Sequence, residues 1–543
     1  MKGLMMDYAL TVPSILRRAA QVYPEKEIVS RMSDGSKVRI TYREMYERVI
    51  RLMNALREMG VKPGDRVATC AWNSYRHTEL YFAVPSIGAI LHTVNFRLFS
   101  EQVEYIVNHA EDKVMFLDSS LAPMIATLQP ALPCIQHYVV MDDKSEPPTV
   151  TPTPFSDYEA LLAGASSIES FPDIDENLAC GLCYTSGTTG QPKGVLYSHR
   201  SNYLHAMGEC MTDSFGISER DTVLPVVPMF HANAWGLPYS CAMVGAKQVL
   251  PGSHLLGSPI ANLMESERVT FSAGVPTVWR VLYQHLKQHK HDLSSLRLIV
   301  SGGSAAPLSL IEAYKNDFGI TLTSVWGMTE TSPVGTLCRP RAWMDAWTEE
   351  QRSVVLPKQG IPVPGIEVDI RGENNEVLAW DGQQAGEVVV RGPWVVSDYF
   401  KNERTEATLT PDGWFRTGDI ARMDEYGYME ITDRTKDIIK SRGEWISSVD
   451  MENLIVQIPK LQEACVVGRT DVTRGEAPVV FAVLKEEEAE EGVKEEILAL
   501  LATKFAGWQI PKRADIHFID AIPKTSVGKL NKKALRATLE EGS

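Results

Sequence analysis

A repeated change of hydrophobic period constrains this sequence more than any other feature. YREMYERVIRLMNALREMG (42–60) has apolar residues at helical spacing and stops at Gly60, a residue suited to the left-handed backbone that ends helices. DRVATCAW follows as a buried strand. VEYIVNHA, again helical in spacing, leads into the apolar run KVMFLD. A chain that alternates in this way builds sheets covered by helices, the layered α/β class. The alternation resumes at 178 and runs to about 335. From about 360 to 432 it gives way to IEVDIRG, GEVVVRG, GWFRTGD and GYMEITD, short strands separated by glycine turns and typical of a small β unit. The remainder returns to mixed α/β, with an acidic run, KEEEAEEGVKEE (485–496), expected to be a solvated helix start. The Pro-, Thr- and Ser-rich stretch 142–157 reads as a surface loop.

At 543 residues the chain is too long for one compact core. The net charge of −15 argues against a general nucleic-acid surface but leaves room for local anion-binding loops. No stretch approaches the roughly 20 apolar residues of a membrane span, which leaves only peripheral contact open. The N-terminus has no signal-peptide pattern and the C-terminus, EEGS, no address tag. Eight scattered cysteines fit a reducing cytoplasm better than a disulfide scaffold. Cys180 and Cys183, in LACGLCYTSG, have the spacing of a redox or metal pair. With no second pair nearby they read as small apolar residues of a buried strand.

The strongest local signal is YTSGTTGQPKGV, 184–195, between two apolar strand patterns. Thr185, Ser186, Thr188 and Thr189 offer hydroxyls, Gly187 and Gly190 permit close approach of backbone N–H groups, and Lys193 supplies positive charge. This is chemistry for a polyphosphate. The loop is neither a Walker A motif nor a Gly-x-Gly-x-x-Gly dinucleotide fingerprint.

These residues resemble the signature of the adenylate-forming superfamily: acyl-CoA synthetases, peptide-synthetase adenylation domains and firefly luciferase. Further motifs appear in the order that resemblance implies. WGMTE (326–330) offers an indole face that can stack on adenine and a carboxylate that can hold Mg²⁺. By resemblance Thr185 and Glu330 hold the metal, Thr329 contacts phosphate, Ser324 and Val325 line the adenine edge, and Gly303 of SGGSAAP packs on the base. Trp326 departs mildly from the usual Tyr. Asp419 of TGDI matches a carboxylate that accepts hydrogen bonds from both ribose hydroxyls, supported by Arg434. DRTKDI (433–438) matches the interdomain hinge, pivoting at Lys436. Lys440 and Trp445 match positions that reach the nucleotide. Lys529, in the closing stretch IPKTSVGKLNKKALR, matches the adenylation lysine, whose compact ammonium offsets charge between carboxylate and α-phosphate.

The resemblance covers nearly the whole chain. It implies a large N-terminal domain (1–432) of two α/β layered units plus a small β unit, a hinge (433–438) and a small mobile C-terminal α/β domain (439–543). It implies ATP and coenzyme A as substrates, Mg²⁺ as cofactor, and a homodimer. In VVPMFHANAWGLPY (226–239), His231 matches the residue beside the acyl carboxyl, and Trp235 resembles the acyl gate of bacterial long-chain fatty acyl-CoA synthetases. The segment 339–360 also resembles an insertion of that group. The expected activity is therefore ligation of a medium- to long-chain fatty acid to CoA through an acyl-adenylate. The alternatives are a short acid such as methylmercaptopropionate and transfer to a carrier protein. A luciferase-like oxygenase and a non-enzymatic nucleotide binder are further readings, the last opposed by Lys529, Glu330 and the phosphate loop.

Overall fold

The computed structural model describes residues 1, 3–141, 150–185, 191–401, 408–441, 444–471, 475–485, 488–524 and 530–541. The chain is mixed α/β and divides into two compact units. The first comprises Met1–Thr185, Pro192–Glu367 and Arg391–Ala407; the second takes Ser186–Gln191, Val368–Val390 and Thr408–Ser543. The small β sheet thus groups by contacts with the residues after it. The resemblance puts this sheet with the residues before it, up to 432.

The first unit holds two sheets. One has seven strands, in the order Phe155–Asp157, His137–Met141, Asp112–Asp118, Arg66–Cys70, Ile90–Thr93, Ala179–Tyr184 and Gly194–Ser198. The other has nine, and its central strands, Thr222–Pro225, Phe271–Gly274, Leu298–Ser301 and Leu322–Gly327, are parallel neighbours. Helices cover these strands, so both faces are apolar, as parallel sheets require. Val249, Leu224, Ile299, Trp279 and Tyr314 share one continuous core. Parallel strands also carry their loops of interest at one edge, beyond their C-terminal ends.

The helix Tyr42–Glu58 forms where its period indicates. Thr41 caps it and Glu44 reciprocates in a capping box, Met45, Val49, Met53 and Leu56 face inward, and Gly60 follows at φ +80°. The 142–157 stretch is only partly a loop, because Phe155–Asp157 adds an edge strand; 142–149 lie outside the described residues. The helix start expected in the acidic run 485–496 falls near the end of that run. The helix is Val493–Leu501, preceded by Gly492 at φ +77°; closely spaced like charges in 488–491 oppose an earlier start.

In the second unit, Glu367–Arg371, Ala385–Arg391, Phe415–Met423 and Met429–Arg434 form the four-stranded sheet expected from the glycine-punctuated pattern. A five-stranded sheet follows, in which Gly475–Leu484 pairs with Leu461–Asp471, Ile439–Ser441 and Ile516–Phe518, and which the helices Ser448–Ile455 and Val493–Leu501 cover. Among the described residues no helix is long and apolar enough to cross a membrane.

Candidate active site

The strand Ala179–Tyr184 and its antiparallel neighbour Gly194–Ser198 carry the two ends of the phosphate loop. Ser186, Gly187, Thr188, Thr189 and Gly190 lie outside the described residues. The ends themselves are clamped. The Thr185 N–H donates to the Lys193 carbonyl at 2.9 Å, and the Lys193 N–H donates to Thr185 Oγ1 at 3.1 Å. Lys193 Nζ sits 4.7 Å from the centroid of the Tyr399 ring, and the Tyr399 hydroxyl donates to Glu330 Oε1 at 2.7 Å. Thr185, Lys193 and Glu330 are therefore brought together, with Tyr399 between acid and base. Tyr399 belongs to none of the sequence motifs.

Glu330 belongs to a single helical turn, Thr329–Thr331, after the strand Leu322–Gly327. Its backbone is pinned on both sides: Tyr197 donates its hydroxyl to the Thr329 carbonyl at 2.7 Å, and the Val396 N–H donates to the Glu330 carbonyl at 2.8 Å. Thr329 and Glu330 are buried, yet both are polar, as ligand-facing groups at a strand end are. Ser324 lies in register with Ser301 on the adjacent strand. Both hydroxyls are buried without a hydrogen-bond partner among the described residues. Buried orphan hydroxyls are uncommon and call for an explanation. Trp326 packs against Gly335, where an added Cβ would stand 2.6 Å from its ring. Gly303 has φ +82°, a backbone that favours glycine.

The stretch around His231 has an unusual backbone. Ala232, Asn233, Ala234, Trp235 and Gly236 have φ of 44°, 55°, 49°, 58° and 80°. A left-handed run costs about 1–2 kcal/mol for each non-glycine residue, and such strain persists where surroundings enforce it. Here the enforcement is visible. Asn233 Oδ1 accepts from the Cys183 thiol at 3.2 Å. The buried Trp235 indole lies over Gly302, where an added Cβ would meet Trp235 Cη2 at 2.8 Å and Val325 Cγ1 at 2.6 Å. Gly236 lies on the buried side chain of His205, 2.6 Å from its Nδ1 to an added Cβ. His205 Nε2 accepts the Val334 N–H at 3.3 Å, and burial pulls its pKa down to about 3. Glu209, one turn on, bonds Ser240 and is pushed well up by burial. His231, half-buried, donates its N–H to the Pro228 carbonyl at 3.0 Å. His205, Glu209 and the left-handed run carry no sequence signature.

Cys180 and Cys183 are both buried in Ala179–Tyr184. A bulge between Ala179 and Gly181 interrupts the strand's alternation; Cys180 Sγ accepts from Asn202 and Cys183 Sγ donates to Asn233, and among the described residues no three His, Cys, Asp or Glu side chains gather to hold a metal ion. Burial pushes their thiols up to about 12 and about 11.

In the second unit, Asp419 and Arg434 face each other across neighbouring strands, with Arg434 Nε 3.1 Å from Asp419 Oδ1. Lys436 follows Arg434 closely, and its ammonium is held below the usual lysine range by desolvation and then by Arg434. The Lys440 N–H donates to Glu476 Oε2 at 2.7 Å. Lys529 and the side chain of Trp445 lie outside the described residues. A neighbour in the same tail, Lys532, is buried instead. Its ammonium pairs with Glu452 at 2.8 Å and donates to Ser448 Oγ at 2.6 Å, while Ser448 serves Asp433.

Residues 16–400 match the family described as AMP-binding enzyme, and residues 450–529 match the AMP-binding enzyme C-terminal domain. A long-chain-fatty-acid–CoA ligase of Thermus thermophilus is 46% identical over 98% of this chain and 96% of its own. A 3-methylmercaptopropionyl-CoA ligase of Ruegeria lacuscaerulensis is 42% identical, covering 99% of this chain and 98% of its own. A medium-chain-fatty-acid–CoA ligase of Ectopseudomonas oleovorans is also 42% identical, covering 99% and 97%. Among solved structures, an anthranilate CoA ligase in complex with anthranoyl-AMP superposes with TM-score 0.85 at 25% identity, each chain covered in full (100%). Matched by both parts of the family over most of its length, the chain belongs to the AMP-binding enzymes.

Proposed function

We propose that the protein is an ATP-dependent acid–CoA ligase, converting a medium- to long-chain fatty acid, ATP and CoA into acyl-CoA, AMP and pyrophosphate. The observation that carries this reading is the convergence of the clamped phosphate-loop ends on Glu330 through Tyr399. A lysine, a hydroxyl and a buried carboxylate at one strand edge suit a polyphosphate with its cation.

Thr185 and Glu330 are hard oxygen donors of the kind Mg²⁺ takes, and would hold it. When bound, Mg²⁺ supplies charge neutralisation to the departing pyrophosphate. Residues 185–190 and Lys193 would cradle the phosphates and Thr329 would bond to them. Ser324, with its unpartnered hydroxyl, would meet the adenine edge beside Val325, Trp326 and Gly303. Asp419 would accept the ribose hydroxyls, with Arg434 as its support. Lys529 would bridge the acid's carboxylate and the α-phosphate during in-line attack. His231 would position the acyl carboxyl, and Trp235 would close the acyl path.

Thioester formation then requires Lys529 to withdraw. We assign this to rotation of residues 439–543 about Lys436, which would bring Lys440 and Trp445 toward the thiol-accepting arrangement, a hinge transition. The likeness to fatty-acid and 3-methylmercaptopropionate ligases leaves a second reading for the acid, a short thioether. Transfer to a carrier protein is a third outcome. A cytoplasmic homodimer completes the assignment.

The deciding experiment is an acid panel, from acetate to long-chain fatty acids plus aryl and thioether acids, with CoA products identified by mass. Acyl-CoA from medium or long chains is expected. Turnover confined to 3-methylmercaptopropionate would transfer the assignment to the short acid, and adenylate without thioester would point to a carrier.

A further inference from the structure

The sequence QHLKQHKHD (284–292) places three of the chain's 12 histidines within seven positions, and nothing in adenylate chemistry uses them. His285 lies in the last turn of the helix Pro276–Gln288, His289 caps it, and His291 begins the return toward the strand Leu298–Ser301. This is the entering edge of the nine-stranded sheet. Ser301, Gly303 and Trp326 stand at the leaving edge.

His285 Nε2 and His291 Nε2 face each other at 3.1 Å. His291 Nδ1 stands 2.8 Å from Glu265 Oε2. A carboxylate only accepts, so the His291 proton sits on Nδ1 and its Nε2 lone pair points at His285. Glu265 is itself held, its Oε1 accepting the Asp292 N–H at 3.0 Å. His285 is fixed by the ring of His289, stacked at 4.3 Å and 15°, and His289 Nδ1 donates to the His285 carbonyl at 3.2 Å.

We propose that His285 and His291 form a binding site for a borderline divalent transition-metal ion, Cu²⁺, Ni²⁺ or Zn²⁺, with Glu265 orienting His291 and water completing the coordination. Imidazole nitrogens bind such ions at about 2.0–2.1 Å, so two cis ligands stand roughly 2.9–3.4 Å apart at bond angles between square and tetrahedral. The observed 3.1 Å falls in that interval; it is a hydrogen bond donated by His285 Nε2, and the ion would take the place of that proton, which leaves to solvent. A carboxylate on the far nitrogen is the usual companion of a metal-binding histidine. The C-terminal end of a helix favours a cation as well. Among the described residues no three ligating side chains converge on one point, so the protein supplies two donors. Nitrogen donors disfavour Mg²⁺, which keeps this site separate in chemistry from the one assigned to Glu330.

The test uses the full-length, metal-freed protein without ATP or acid, titrated with CuCl₂, NiCl₂ and ZnCl₂ by calorimetry and followed by thermal unfolding. One equivalent and a raised Tm are expected with at least one of these ions. His285→Gln and His291→Gln should each weaken binding by roughly tenfold or more, and Glu265→Gln by about 10–100-fold. Absence of a bound equivalent, or equal affinity in the His285→Gln/His291→Gln double variant, overturns the proposal. Should a variant fail to fold, electron paramagnetic resonance of the Cu²⁺-loaded wild type decides. Hyperfine splitting from two imidazole nitrogens supports the site, and any other nitrogen count refutes it. None of these readouts depends on turnover.

Discussion

Tyr399 joins two motif residues that are far apart in sequence: its hydroxyl donates 2.7 Å to Glu330 Oε1, and its ring lies 4.7 Å from Lys193 Nζ. Tyr399→Phe keeps the ring and removes the hydroxyl. A hydrogen bond to a charged group contributes about 1.5–3 kcal/mol, and water can replace part of it. Acid-dependent pyrophosphate–ATP exchange should fall about tenfold, the equivalent of about 1.4 kcal/mol, with a raised Mg²⁺ requirement. An unchanged exchange rate and Mg²⁺ dependence would leave Tyr399 as simple packing.

Gly302 lets Trp235 lie flat. In Gly302→Ala the new methyl would stand 2.8 Å from Trp235 Cη2 and 2.6 Å from Val325 Cγ1. Overpacking of this kind costs about 1–3 kcal/mol, so the indole or the strand end must move. We expect a several-fold change in kcat/KM between short and long acids, with KM for ATP less affected. A uniform change across the acid panel would show that Trp235 is ordinary core.

The two half-reactions separate the lysines. Lys529→Ala should cripple adenylation yet spare thioester formation from pre-made acyl-AMP. Lys436→Pro, which removes backbone freedom at the hinge, should do the reverse. Stopped-flow or quenched assays of each half-reaction check both, and equal loss in both halves for either variant contradicts its role.

Acid stability follows from a buried histidine. His77 is enclosed between the Trp72 carbonyl, 3.0 Å from Nδ1, and Thr69 Oγ1, 2.9 Å from Nε2, and burial lowers its pKa to about 4. Its folded value is below the unfolded one of about 6.5, so protonation favours the unfolded chain. The stability His77 confers is complete above pH 6.5 and is lost as pH falls from there toward 4. A shift of this size corresponds to roughly 3 kcal/mol. His199, also drawn down to about 4, acts in the same direction, while the raised carboxyl of Glu209 acts oppositely. His77→Gln should therefore unfold with a shallower pH dependence between 6.5 and 4 in urea titrations; a slope equal to wild type would refute the assignment.

Much of this protein is local, and so was legible in order along the chain. The helix Tyr42–Glu58 is specified by its period, its cap and Gly60, and the strands of the small sheet by their alternation and glycine turns. The phosphate loop and WGMTE announce themselves because their chemistry needs particular residue types at adjacent positions. Residues that act across distance give no such signal. Tyr399 reaches Glu330, His205 and Glu209 underlie the left-handed run at 232–236, and His285 meets His291 against Glu265. The same holds for the tail, where Lys532 is a buried partner of Glu452 although its surroundings, KLNKKALR, read as solvated. Periodicity and turn chemistry are written in neighbours one to four residues apart, whereas these pairings depend on which strands and helices pack together.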